Sequence, residues 1–226
     1  MRTRVSTAID ATPRESVDCS TPALPRHITL INADDSCDKT ATELILDDFA
    51  EAFEVYARHD IGVDAHIPEI TRFALNRLDV ADPHELAQFD TIVLGYTLSD
   101  DNTLTGTTSP LPTLLAKGNL KAGTRLYAIA STDDYEPARV VSSFVLLEDF
   151  CSEHQLDWRG GLAVGASDMV LIAAKMPRMG MVRRHLSEAT DELILAVRCG
   201  ARAGTIVVPA PIPRFIYRFI VNKQQR

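Results

Sequence analysis

The sequence has few basic residues and no long apolar run. Its 23 lysines and arginines are outnumbered by 31 aspartates and glutamates, which gives a net charge of −8 at neutral pH. Because nucleic acids are bound mainly through basic surfaces, this balance argues against a nucleic-acid partner. No stretch reaches the roughly 18 apolar residues of a transmembrane helix, so we expect no membrane span.

The sequence also lacks the cysteine and histidine patterns of a metal or nucleophile site. The four cysteines, Cys19, Cys37, Cys151 and Cys199, include no C-x-x-C pair and no zinc-spaced grouping with histidine. None of the six histidines is paired with Ser or Cys at a spacing that suggests a nucleophile. We therefore expect reduced thiols, no metal ligands and no catalytic residue among these groups. The N-terminus lacks the apolar core of a signal peptide, which favours a cytoplasmic location.

What is present divides the chain into a tail and one domain. Residues 1–26 are rich in Ser, Thr and Pro and show neither the period of a strand nor that of a helix, so they are predicted to form a flexible tail. Residues 27–226 have the composition of a single globular domain that is large enough to bury a core.

Short apolar runs alternate with amphipathic stretches from His27 onward. Strands are predicted at 27–32, 91–96, 125–130 and 162–166, with a weaker candidate at 62–67, and helices at 40–58, 137–154 and 181–203. This alternation predicts an α/β domain with a doubly wound, five-stranded parallel sheet and helices on both faces. The expected strand order is the flavodoxin-like 2-1-3-4-5, which places a ligand beyond the carboxyl ends of the strands, at loops 33–39, 97–108 and 131–136.

The first of these loops, within INADDSCDKTATEL (31–44), has the position of an anion site but an acidic composition. The N-terminus of a helix after a strand attracts phosphate through its free N–H groups. Here Asp34, Asp35 and Asp38 stand in that position. Thr40 and Glu43 form a T-x-x-E capping box, which satisfies such N–H groups with side chains. We predict that Thr40 caps the helix, that Glu43 reaches back to its N–H, and that the loop closes on itself.

A family resemblance is carried by the second half of the chain. Tyr135 and Glu136 follow the turn after the fourth strand, Phe150 and Cys151 come late in a helix, and W-x-G-G-L-x-x-G occupies 158–165. The closing segment IPRFIYRFIVN (212–222) is similar to a P-R-F-x-Y-x-x-x-x-N ending. Together these features resemble the flavodoxin-like NAD(P)H-dependent oxidoreductases, which are FMN-binding proteins of bacteria.

The resemblance implies FMN bound by the three loops, with NAD(P)H as the electron donor and a small molecule as the acceptor. Because the flavin carries the chemistry, no catalytic triad is expected. The fold also allows a homodimer. The positions that match the family's flavin site are Ser36, Lys39, Thr40 and Thr42 for the phosphate, Thr97, Leu98, Ser99 and Asp100 along one edge of the ring, and Ser131, Thr132, Asp133 and Asp134 along another.

The loops depart from the family in charge. Where related proteins have a Gly- and Ser-rich phosphate loop, this chain has ADDSCDKTAT (33–42), and Asp133 and Asp134 precede Tyr135. A dianionic phosphate is disfavoured beside several carboxylates. The sequence therefore predicts a degraded flavin site.

Two alternatives follow from this departure. One is a non-catalytic flavodoxin-like binding or interaction protein without flavin. The other is a divalent-cation protein in which Asp34 and Asp35 act like the Mg²⁺-binding acids of response-regulator receivers, although Gly95 and Tyr96 stand where a receiver has aspartate.

Overall fold

A computed structural model describes residues 24–34, 39–59, 68–75, 86–99, 120–174, 180–210 and 217. In these ranges the strands are β1 (His27–Asn32), β2 (Glu69–Ala74), β3 (Thr91–Leu98), β4 (Arg125–Thr132), β5 (Asp157–Val164) and β6 (Gly204–Val208). The helices are α1 (Ala41–His59), α2 (Ala138–Glu153), α3 (Ser167–Ala174) and α4 (Gly180–Cys199), with a 3-10 turn at Leu86–Gln88.

The strands form one parallel sheet in the order β2-β1-β3-β4-β5-β6. The predicted order 2-1-3-4-5 is confirmed, and β6 extends it at the edge next to β5. Because β1 lies between β2 and β3, the direction in which strands are added reverses there. Such a reversal leaves a crevice outside the carboxyl ends of β1 and β3.

Each face of the sheet is covered by its own hydrophobic core. On one face, the side chains of β3 and β4 pack against Val140, Phe144 and Leu147 of α2. On the other face, β1, β3 and β4 pack against Phe49 and Phe53 of α1 and against α4. Continuous burial of β3 and β4 on both faces explains why these strands are apolar throughout rather than alternating.

The second and fifth strands differ in position from the sequence expectations. Strand β2 is Glu69–Ala74, and the weak candidate at 62–67 lies outside the described ranges. Strand β5 is Asp157–Val164 rather than 162–166, so it begins five residues earlier than predicted. Trp158 of β5 packs against α2, with 5.6 Å between the centroids of its ring and that of Phe144.

Two positions of β5 are glycines because the backbones of the neighbouring strands β4 and β6 pass very close to them. A Cβ on Gly161 would lie 2.5 Å from the carbonyl oxygen of Ala128, and one on Gly160 would lie 2.0 Å from that of Gly204. Gly160 also has a φ of +102°, and the register with β4 shifts beside Tyr127. These two residues therefore serve a close approach of strands.

The predictions about the N-terminal tail, the cysteines and membrane-spanning helices concern different parts of the chain. Most of the predicted tail, residues 1–23, lies outside them. Cys151 is a buried free thiol, whereas Cys199 is disulfide-bonded, so the expectation of reduced thiols was wrong for Cys199. Within these ranges, helices of the length and apolarity needed to cross a membrane do not occur.

Candidate functional site

The carboxyl ends of β1, β3 and β4 lie side by side and are joined by the start of α1. The N–H of Ala33 donates to the carbonyl of Gly95 at 2.8 Å, which ties the beginning of the first loop to β3. Gly95 lets α1 approach β3 closely, since a Cβ there would lie 2.4 Å from Cδ1 of Leu46 and 3.0 Å from Cγ2 of Thr42. The polar side chains that end these elements are thereby brought together.

The carboxylate of Asp34 lies at the centre of this group and accepts hydrogen bonds from two other elements. Its Oδ1 accepts from the N–H of Thr97 at 2.7 Å. Its Oδ2 accepts from the hydroxyls of Thr40 and Thr97, each at 2.7 Å. The N–H of Asp34 in turn donates to the side chain of Asn32 at 3.1 Å. Asp34 therefore connects the first loop to α1 and to the end of β3.

Thr42 forms a second layer of hydroxyl contacts beneath Asp34. Its Oγ1 lies 2.9 Å from the hydroxyl of Thr97 and 2.8 Å from that of Ser131, and it donates to the carbonyl of Tyr96 at 3.1 Å. Thr42 and Ser131 are fully buried. We call Asp34, Thr40, Thr42, Thr97 and Ser131 the hydroxyl cluster.

The start of α1 confirms half of the predicted capping box. The N–H of Glu43 donates to Oγ1 of Thr40 at 3.1 Å, so Thr40 caps the helix as expected. Between these two described residues the reciprocal bond, in which the Thr40 N–H would donate to the Glu43 carboxylate, is not formed. Because the first four N–H groups of a helix have no partner within it, those of Ala41 and Thr42 depend on groups outside the helix.

The hydroxyl cluster has the kinds of donor that hold a phosphate, but Asp34 uses part of them. Hydroxyls, a strand-end N–H and a helix N-terminus are all suited to an anion. In the present arrangement the hydroxyls of Thr40 and Thr97 and the Thr97 N–H are directed at the Asp34 carboxylate. The residues therefore fit the phosphate of FMN only when the Asp34 side chain moves away.

Lys39, the basic residue predicted for the phosphate, is directed toward the outer surface of α1. Its Nζ lies 2.6 Å from Oδ2 of Asp47, and Arg72 of β2 contacts the other oxygen of Asp47 at 2.7 Å. The hydrogen bond to Asp47 raises the pKa of Lys39 above its usual value. Asp47 thus joins the end of the first loop and β2 to α1, and Lys39 is not part of the hydroxyl cluster.

The loop after β4 forms a separate polar group. Thr132 and Asp134 contact each other, and the Asp134 carboxylate lies 3.8 Å from Arg139 of α2. The carboxylate of Asp133 accepts a hydrogen bond from the hydroxyl of Ser167, at the start of α3. Burial, and to a smaller extent the charge of Asp133, raises the pKa of Asp168 above its usual value.

Ser167 and Asp168 were missed by sequence reasoning. A Ser-Asp pair directly before an apolar stretch is a helix-start signal, and it could have located α3 and this polar group. The end of β5 approaches the loop after β4 closely at Gly165. A Cβ on this residue would lie 2.6 Å from the carbonyl oxygen of Tyr135, so a glycine is needed there.

The other predicted flavin residues lie either at the end of β3 or outside the described ranges. Leu98 is buried, and the carbonyl of Ser99 accepts a hydrogen bond from Arg139 at 3.1 Å. Ser36, Asp100 and also Asp35 lie outside the described ranges. In the part of the chain that the structure covers, there is no group of three or more His, Cys, Asp or Glu side chains placed to hold a metal ion.

Comparison with known proteins gives structural neighbours only. No protein-family model and no curated protein matches the sequence. An NADH:FMN oxidoreductase in its apo form is 15% identical, with a TM-score of 0.46 over 84% of this chain and 98% of that chain. An azoreductase from Bacillus anthracis str. Sterne is 11% identical, with a TM-score of 0.45 over 76% and 99%. A flavodoxin from Streptococcus pneumonia TIGR4 is 11% identical, with a TM-score of 0.41 over 66% and 99%.

Proposed function

We propose that this chain is a flavin-dependent NAD(P)H oxidoreductase with a small-molecule electron acceptor, and that it binds a flavin, either FMN or riboflavin, as its cofactor. The observation that supports this proposal most directly is the convergence of Thr40, Thr42, Thr97 and Ser131 at the switch point of the sheet. In a doubly wound fold this crevice is where ligands bind, and buried hydroxyls there are suited to an anionic or hydroxylated ligand.

The chain's own residues would bind and orient the cofactor. Thr40 and Thr42 lie at the start of α1, where the helix N-terminus favours the phosphate. Thr97 and Ser131 belong to the hydroxyl cluster at the phosphate, and the residues that come after them, 98–100 and 132–134, would flank the ring. The flavin, when bound, would supply the hydride acceptor for the nicotinamide, so the protein needs no acid–base pair of its own.

Flavin binding can be measured on the purified full-length chain. We expect FMN titration to quench flavin fluorescence with saturation at one FMN per chain, and the complex to oxidise NADH or NADPH when a quinone or dye is supplied. The test variant is Thr42→Val, which keeps the size of the side chain and removes the hydroxyl that contacts Ser131 and Thr97. Saturable binding in the parent chain that is weakened in Thr42→Val supports the proposal.

One observation favours a second candidate, a flavin-free binding or interaction protein. Asp34 already accepts from the Thr40 hydroxyl and from the hydroxyl and N–H of Thr97, so these three donors have an acceptor without a ligand. A parent chain that shows no saturable binding of either FMN or riboflavin would contradict the oxidoreductase and support this candidate.

A further inference from the structure

Asp34 stands in the hydroxyl cluster where an external anion would be held. Its two carboxylate oxygens accept from one backbone N–H and two hydroxyls, all at 2.7 Å. Such short contacts to an ionised acceptor are the stronger kind of hydrogen bond. The carboxylate therefore holds the same set of donors that a phosphate group would need.

Two physical consequences follow for a phosphorylated ligand. Its phosphate must take over donors that already have a charged acceptor, so binding exchanges hydrogen bonds and adds few new ones. It must also approach the displaced Asp34 carboxylate, and like charges repel most where water is partly excluded. Thr42 and Ser131, directly beneath, are fully buried, so the base of the cluster is shielded from water.

A ligand without a phosphate meets neither cost. The ribityl chain of riboflavin ends in a neutral hydroxyl, which can donate a hydrogen bond to the Asp34 carboxylate while that carboxylate stays in place. FMN differs from riboflavin only by the terminal phosphate. The ratio of their affinities therefore reports on the surroundings of the terminal phosphate.

We propose that Asp34 is a specificity-determining residue, because its carboxylate occupies the position of the phosphate and thereby selects against flavins with a terminal phosphate. This inference rests on the proposed flavin-dependent function and adds that riboflavin is bound at least as tightly as FMN. Asp34 acts on the ligand's tail and not on the reacting ring, so it is not a catalytic residue.

The test measures dissociation constants of FMN and riboflavin by fluorescence quenching, for the full-length parent chain and two variants. Asp34→Asn removes the charge at nearly constant shape, and Asp34→Ala vacates the position. Glu51→Gln is the matched control, because it removes the same charge from an exposed position on α1. We expect both Asp34 variants to raise the affinity for FMN relative to riboflavin by 10- to 100-fold, and Glu51→Gln to leave the ratio unchanged. Far-UV circular dichroism checks folding, and Asp34→Asn suffices if Asp34→Ala does not fold.

The outcomes separate this inference from the function on which it rests. A ratio that stays the same in both Asp34 variants, with flavin still bound, overturns the role of Asp34 and leaves the oxidoreductase intact. A parent chain that prefers FMN by tenfold or more also overturns it. No binding of either flavin by the parent chain and its variants overturns both.

Discussion

The hydroxyl of Tyr217 donates a hydrogen bond to the backbone carbonyl of Asp133. This contact joins the C-terminal part of the chain to the loop after β4, at the same edge of the sheet as the candidate site. The Tyr217 ring is largely buried and packs edge-on against Tyr135, with 5.6 Å between ring centroids.

Replacing Tyr217 should separate its hydrogen bond from its packing. We expect Tyr217→Phe to lower the free energy of unfolding by about 1 kcal/mol, the net value of one hydrogen bond. Tyr217→Ala also loses the ring contact and should cost about 3 kcal/mol. Urea denaturation of both variants measures the difference. Equal stability of Tyr217→Ala and the parent chain would show that this residue does not anchor the C-terminal part.

The two facing glycines of β5 and β6 offer a matched pair. Gly160 and Gly204 are paired in register and both have a positive φ, but only at Gly160 would an added Cβ meet backbone, at 2.0 Å. We expect Gly204→Ala to cost about 1 kcal/mol from backbone strain. Gly160→Ala should cost at least about 2 kcal/mol more, because strands must separate. Thermal or urea unfolding tests this order, and a reversed order would contradict the close approach of β5 and β6.

Asp168 should make stability fall as the pH rises. Burial raises its pKa in the folded protein above the usual 3.8, so the folded state holds this proton more tightly than the unfolded state does. The resulting penalty is absent below pH 3.8 and grows as the pH rises through the folded-state pKa. We therefore expect Asp168→Asn to be more stable than the parent chain at pH 7, with an advantage that shrinks toward pH 3.8.

A control variant identifies the origin of that pH effect. Asp149→Asn removes one carboxylate from an exposed position on α2 and is the matched control for Asp168→Asn. If Asp168→Asn and Asp149→Asn gave the same profile in urea unfolding, burial of Asp168 would not be the cause.

The charge of the whole first loop can be tested through salt. Replacing Asp34→Ser, Asp35→Gly and Asp38→Asn together should raise FMN affinity by about 10- to 100-fold, roughly 1.4 to 2.8 kcal/mol. Exposed charges are screened over about 10 Å at 0.1 M salt, so the gain should be largest at low ionic strength. Titrations from low to high salt measure this slope. A gain that does not depend on salt would indicate loop shape rather than charge.

Sequence periodicity located α1, α2 and α4 because each of these helices has one apolar stripe, whereas α3 was missed. The prediction 40–58 lies within one residue of α1 at both ends, since Leu46, Phe49 and Phe53 face the core. Strand β6 was missed because it is a short edge strand in which every residue except Ile206 and Val208 is exposed, which leaves little apolar signal. The beginning of β5 was missed because Gly160 and Gly161 are typical of a turn, and only the tertiary contact explains them.

The proximity of Thr40, Thr42, Thr97 and Ser131 follows from the predicted strand order, but their hydrogen bonds could not be read from the sequence. The order of strands and the family resemblance indicated Thr40, Thr42, Thr97 and Ser131, and the structure brings these four together. The negative charge of Asp34 was also evident, but its acceptance of a bond from Thr97, 63 positions away, depends on the register of β1 and β3. A sequence shows charges along the chain and not which donors converge on them.

The contacts of Asp34 also affect whether the chain can fold before a cofactor binds. Because this carboxylate accepts from the Thr40 hydroxyl at the start of α1 and from Thr97 at the end of β3, these donors have an acceptor without a ligand. Folding and cofactor loading are therefore separate events for this chain. We expect the newly made protein to reach its native state in a cell depleted of riboflavin, and to accumulate there as a stable apoprotein.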